Sequence, residues 1–207
     1  MLKRFYVFVS ILMLIITPSC KDAKDIDEFD QDRIYTKYEM VYDAEDDPTT
    51  VKAKFRHNSS VGRQIKLTGG SNVRFNNMLL PEVTEAITNA TYYETTLAGL
   101  LERGAFAWTD ADGQVYNNEV TMKIAAIPSD LNEINSSNTF EFYWIGAPVG
   151  EDDVVELKIN YSGTGSHDYS ETDEGSESIF IPASDLQEAS PGIASFTTER
   201  NHTPPLV

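Results

Sequence analysis

From Arg33 onward, apolar and polar residues alternate with a period of two, the pattern of strands that bury one face and wet the other. Val51, Ala53 and Phe55 alternate with Lys52, Lys54 and Arg56. Ile65 and Leu67 alternate with Gln64 and Lys66, and Val73 and Phe75 with Asn72 and Arg74. Phe106 and Trp108 share a face, Asp110-Ala111-Asp112-Gly113 turns the chain, and Tyr116, Val120, Met122 and Ile124 then point inward; the spacing predicts a hairpin. A second series follows Pro128. Phe140, Phe142 and Trp144 line one face, the stretch Gly146–Glu151 turns, and Val155, Leu157, Ile159 and Tyr161 line another. Ser178–Ile181 and Ile193–Thr198 complete the series, with a mobile loop expected over Gly163–Gly175. Val83, Ala86, Ile87 and Ala90, and then Leu97, Leu100 and Leu101, have spacing that fits either a helical turn or irregular loop.

Short strands at this interval, punctuated by Gly, Asn, Asp and Pro, predict an all-β protein built as an antiparallel β-sandwich. The strand count divides into two modules, 33–124 and 125–207, with one larger sandwich as the alternative. Each module is near the size of an immunoglobulin-like domain and lacks that domain's paired cysteines, so the likeness is to the wider Ig-like and fibronectin-like class.

The chain begins differently. Lys3 and Arg4 precede the apolar run Phe5–Ile16, broken only by Ser10, and Thr17-Pro18-Ser19-Cys20 closes it. That is the layout of a secretory signal peptide over 1–19, the run being short for a membrane span of about twenty residues; a permanent transmembrane anchor is the competing reading. Cys20 is the only cysteine and falls where a mature chain would start. The site resembles the bacterial lipobox, with small Ser19 before the cysteine and Thr17 where leucine is usual; the resemblance implies a diacylglycerol thioether on Cys20. Cleavage by ordinary signal peptidase at the same bond would leave a free thiol, a liability in an oxidising compartment. With a single cysteine, no internal disulfide can form. Residues 20–32 then read as an acidic tether, too polar to offset the entropy of ordering it. Lys21-Asp22 with Asp25 resembles the surface-export signal of Bacteroidetes-type lipoproteins; a plain solvated linker is the other reading.

At the level of the whole chain, Val73-Arg74-Phe75-Asn76-Asn77, Trp144-Ile145-Gly146-Ala147-Pro148 and Ile181-Pro182-Ala183-Ser184-Asp185-Leu186, with the lipobox and tether, resemble Bacteroidetes surface lipoproteins with Ig-like domains. The resemblance implies a lipid-anchored place at the outer membrane, and no activity.

Charge narrows the function classes. The 207 residues carry 16 basic and 33 acidic side chains; losing 1–19 removes two basic ones and no acids, leaving a formal charge of −19 on 188 residues. Such a surface repels nucleic acid, whose binding depends on neutralising phosphates.

Candidate chemistry is sparse. Asp110–Gly113 could offer oxygens to calcium but lacks the further ligands of an EF-hand, and Asp-Gly is a favoured hairpin turn in its own right. The acidic runs Asp43–Asp47, Glu151–Asp153 and Glu171–Glu174 read as solvated loops. Ser166-His167-Asp168 are adjacent on an extended segment, so they point to opposite sides and cannot form a relay. His57, His167 and His202 are scattered, without zinc-ligand spacing. A distant carboxylate pair for glycoside hydrolysis stays open in principle. Trp108 and Trp144 fall on core faces, whereas Tyr92, Tyr93, Tyr143 and Tyr169 are freer to form a contact surface. The expectation is a non-catalytic interaction or accessory module, with no cofactor and no metal, held at the envelope through Cys20 and binding a protein. The alternative is a glycan-binding lipoprotein beside a sugar importer.

Overall fold

The computed structural model describes residues 22–131, 133–161, 165–188 and 192–202. The chain is all-β, with several antiparallel sheets and a single short helix among the described residues. In the first half, β1 (Lys24–Asp25) precedes two 3₁₀ turns, and then come β2 (Ile34–Tyr42), β3 (Pro48–His57), β4 (Ile65–Lys66), β5 (Asn72–Phe75), β6 (Met78–Leu79), β7 (Glu82–Thr84), β8 (Thr91–Ala98), β9 (Arg103–Thr109) and β10 (Val115–Thr121). The second half holds β11 (Ala125–Ala126), β12 (Phe140–Tyr143), β13 (Ile145–Gly146), β14 (Asp153–Tyr161), β15 (Gly165–Glu171), β16 (Ser178–Ile181), helix α1 (Ala183–Glu188) and β17 (Ala194–His202).

Two four-stranded sheets, β2-β3-β8-β7 and β10-β9-β5-β6, face each other in the first half. The alternation read from sequence sets what lies between them: Val51, Ala53 and Phe55 from one sheet meet Val73, Phe75, Phe106 and Trp108 from the other, all buried. Aromatic rings bridge the layers, with Tyr38 stacked on Phe106 at 4.6 Å and Phe55 against Trp108 at 5.4 Å. A second, separate cluster gathers Phe142, Trp144, Val155, Leu157, Ile159, Ile179 and Ile181 between the sheets β15-β14-β17 and β12-β16. Strand pairing stays within each half: β1 to β10 pair among themselves, as do β11 to β17.

Several expectations need correcting. The tether reading of 20–32 fails from Lys24 onward; Cys20 and Lys21 lie outside the described residues. Lys24-Asp25 adds a parallel strand to Ile65-Lys66, and Ile26, fully buried, belongs to the first core. Gln31 fixes the segment further: its amide donates to the carbonyls of Ile26 and Phe29, and its own carbonyl accepts the Ala111 N–H at 3.3 Å. Two apolar side chains among many acids are enough here, because they dock on a core that already exists.

Val83–Leu97 forms β7 and β8 rather than helix, joined by a turn at Glu85–Ala90. The expected loop at 163–175 is largely β15, paired along its length with β14; residues 163 and 164 lie outside the described residues. β15 is polar because it is an edge strand that buries little. β10 is likewise an edge strand, so Tyr116 stays 40% exposed beside Trp108, and it ends at Thr121, which leaves Met122 and Ile124 beyond it. The helix α1 was not anticipated; Leu186 alone anchors it in the core.

Gly146 shows why the Trp144–Pro148 stretch carries glycine. Its φ is +150°, and a Cβ there would lie 2.1 Å from the Ile124 carbonyl oxygen, where β13 pairs with β11.

The docking of the N-terminal segment can be measured. Replacing Ile26 with Ala should lower the unfolding free energy of the protein by about 2–5 kcal/mol, whereas changing exposed Asp27 to Ala should stay within about 0.5 kcal/mol. Urea titration followed by tryptophan fluorescence reads both, and equal, negligible effects would mean that the segment contributes nothing to the body.

Candidate functional site

The most concentrated chemistry sits where the second half receives the chain from the first. Asp153 opens β14 on the same parity as Val155, Leu157 and Ile159, so its carboxylate points into the interior and is only 4% exposed. The reading of Glu151–Asp153 as a solvated run therefore holds for its first two residues and fails for the third. Arg200, opposite Val155 on β17 and so diagonal to Asp153, donates to Asp153 Oδ2, and its side chain is 1% exposed. Lys123 Nζ reaches the same oxygen at 3.0 Å, and the Gly150 N–H donates to it at 2.9 Å. His202 Nδ1 lies 2.6 Å from Oδ1, out of hydrogen-bond alignment.

Burial alone would raise the Asp153 pKa. Hydrogen bonds from Arg200, Lys123 and Gly150, and the Arg200 charge, outweigh it and hold the carboxyl well below the usual range. The two terminal guanidinium nitrogens also donate to backbone: Pro148 O at 2.6 Å, Ala147 O, and Ile124 O at 3.4 Å. Trp144 Nε1 donates to the same Ala147 carbonyl at 3.0 Å, and the Thr198 hydroxyl donates to Ala125 O at 2.7 Å. One ion pair thus closes the 146–150 turn and clasps residues 123–125 onto β17. Its work is structural, since every polar atom that it commits faces the protein.

A second cluster joins β14, β15 and α1. The Tyr169 hydroxyl donates to Asp185 Oδ2 at 3.1 Å, and its pKa is pushed far up by burial, with the Asp185 hydrogen bond and neighbouring Tyr161 adding to it. His167 packs between the Tyr161 and Tyr169 rings, with Nε2 3.5 Å from Glu188. Asp168 turns the other way, toward Lys158 at 3.7 Å, so the adjacent Ser166-His167-Asp168 diverge as expected for a strand. Tyr169, expected to be free, is half-buried in this packing.

On the outer face of β3 and β8, Lys52, Lys54, Arg56, Glu85 and Tyr92 line a shallow groove of about 220 Å³. Its lysines are spent across the sheet: Lys52 pairs with Glu94 at 2.6 Å and sits over the Tyr92 ring, while Lys54 pairs with Glu39 at 3.0 Å. Tyr93, also expected to be free, is buried, its hydroxyl accepting the Leu67 N–H at 2.7 Å.

The turn carboxylates have local duties too. Asp110, 3% exposed, accepts the N–H groups of Asp112 and Gln114 at 2.9 and 2.8 Å, Asp43 that of Glu45, and Glu171 those of Thr172 and Asp173. No group of three or more His, Cys, Asp or Glu side chains among the described residues is placed to hold a metal ion. Both tryptophans are buried, Trp108 at 4% and Trp144 at 6% exposure. Tyr143 is the one expected contact residue that stands well out, at 54%. Phe180, at 63%, lies diagonally from it on the outer face of the β12-β16 pair, and Ile145, at 56%, is exposed two residues further on in β13, which pairs with β11. Phe180 and Ile145 carried a signal in the alternation, being apolar residues at outward parity. In comparisons with known proteins, the chain matches no family model and no curated protein.

Breaking the buried ion pair tests its weight. Asp153→Asn or Arg200→Met should each cost about 3–5 kcal/mol, because either leaves a buried partner uncompensated. Folded Asp153 binds its proton less tightly than the unfolded chain does, so its contribution is present above the unfolded value of about 4 and lost as pH falls toward the lowered folded one. The stability gap between wild type and Asp153→Asn should therefore narrow between neutral pH and about pH 2.5; urea midpoints showing a constant gap would contradict the assignment.

Proposed function

We propose that this protein is an envelope lipoprotein, acylated at Cys20 after removal of residues 1–19, and that it serves without catalysis as a protein-interaction or accessory module at the outer membrane. The signal-like start, the lone cysteine at the expected mature terminus and the acidic body support this reading. No helix among the described residues is long and apolar enough to cross a membrane. The observation that carries the interaction reading is the stripe of Tyr143, Ile145 and Phe180. Tyr143 and Phe180 share the outer face of the β12-β16 pair, and exposed Ile145 follows two residues after Tyr143, in a strongly acidic chain where soluble proteins place polar groups. The buried charges, by contrast, are taken up within the fold. A partner that covers the stripe would offer an apolar surface of its own. The division into modules 33–124 and 125–207 belongs to the same proposal, with the first module extended back to include Lys24–Asp32.

The glycan-binding alternative drew on an exposed row of Trp or Tyr. With both tryptophans in the cores, its support reduces to Tyr143 and Tyr116, which lie in different halves and form no row.

Fractionation of cells expressing Cys20→Ala is expected to move the protein from membrane to soluble fraction; unchanged membrane association would refute lipid anchoring. For the interaction reading, a photo-crosslinking residue at Phe180 should yield a discrete adduct in cells that the same residue at exposed Val41 does not. No adduct, or identical adducts from both positions, would count against the stripe as an interface.

A further inference from the structure

The two most exposed large apolar side chains of the described residues sit together at one end of the first sandwich. Val61, 89% exposed, is at the tip of the loop joining β3 to β4, and Ile87, 93% exposed, is in the turn joining β7 to β8. The incoming chain is fastened at the same end. Lys24 N–H donates to Gln64 O at 3.1 Å, Arg63 Nε to Asp22 O at 3.3 Å, and Asn58 N–H to Arg33 O at 2.7 Å. The Gln64 side-chain carbonyl accepts the Thr91 N–H at 2.7 Å, which ties the start of β8 to the same point. The loop is built rather than slack: Gly62 N–H donates to Ser59 O at 2.9 Å, and a Cβ at Gly62 would lie 1.8 Å from the His57 carbonyl oxygen.

Because the segment is docked from Lys24, the distance from Cys20 to the body is short. Four residues span at most about 14 Å even fully extended. From this, and resting on the acylation of Cys20 proposed above, we infer that this end of the first sandwich lies against the lipid surface that holds the anchor, with Val61 and Ile87 seated at the boundary between headgroups and acyl chains. The occupant is the bilayer because an acylated Cys20 brings this end within reach of it. Exposed charges here are of both signs, Arg33 with Asp22, Asp27 and Glu85, so apolar contact and the leash drive the seating, with no dependence on anionic lipid. The first half hands the chain on from its opposite end, where Thr121 pairs with Arg103.

The test uses the mature protein purified with its native Cys20 modification and placed in phosphatidylethanolamine–phosphatidylglycerol vesicles. With the Cys20 thiol blocked by acylation, Val61→Cys, Ile87→Cys and, at the other end of β2, Val41→Cys each supply one reactive thiol for an environment-sensitive fluorophore. Probes at 61 and 87 should emit blue-shifted and brighter, and be quenched by spin-labelled lipid, while the probe at 41 stays in water. A Gly-Ser segment of about twenty residues inserted between Lys21 and Asp22, long enough to free the body, should weaken the effect at both positions. Water-like probes at 61 and 87 on a protein whose mass confirms acylation would overturn this inference and leave the anchoring intact. A mass showing a free Cys20 thiol would overturn the anchoring and this inference with it. Probes shielded before vesicles are added would mean that another protein surface covers the tips, which rejects the bilayer as occupant.

Discussion

Each main sheet in this chain is wet on one face and apolar on the other, so it is stable only when a second sheet covers the dry face. That requirement governs the rest. With one cysteine, the chain has no internal disulfide with which to supplement its cores. The cohesion therefore comes from interleaved aromatic and branched aliphatic side chains: Phe55, Phe75, Phe106 and Trp108 in one cluster, Phe142, Leu157, Ile159 and Ile181 in the other. Everything with chemical potential is arranged around that condition. Thr49 enters the interior with partners, the carbonyl of Gly99 and the N–H of Leu101.

The parity of the sequence carried most of the architecture. Val51 to Phe55 and Val155 to Ile159 are buried where alternation puts them, and both tryptophans lie in the cores. Alternation is reliable there because these strands are central or well covered, so one face is fully dry. It faltered at edges, where a strand needs few apolar residues to be held: β15 is tied to β14 by backbone hydrogen bonds that composition does not record, and β10 leaves Tyr116 half in water. The N-terminal segment misled for a related reason. Its composition is that of a free linker, and the docking of Ile26 depends on a pocket made by residues far along the chain.

The buried ion pair was legible in half. Asp153 has inward parity with Val155, which the sequence displays, but an acidic neighbourhood argues for solvent. What resolves the conflict is Arg200, 47 residues away and brought diagonally alongside by the pairing of β14 with β17, a register that one strand's pattern cannot reveal. The apolar stripe at Tyr143, Ile145 and Phe180 shows the converse. Outward parity hints at Ile145 and Phe180, but only the fold shows that all three side chains stay exposed.

The clasp made by Arg200 also sets an order of assembly. The guanidinium that fastens Ile124, Ala147, Pro148 and Asp153 is supplied by the last described strand, so those contacts span loops of up to 76 residues. A chain delivered N-terminus first can complete the early sheets from sequence already present. The later core must wait, with Asp153 lacking its guanidinium, until β17 arrives. Such a chain exposes its unfinished half longest, and a cell would have reason to shepherd that half until β17 is delivered.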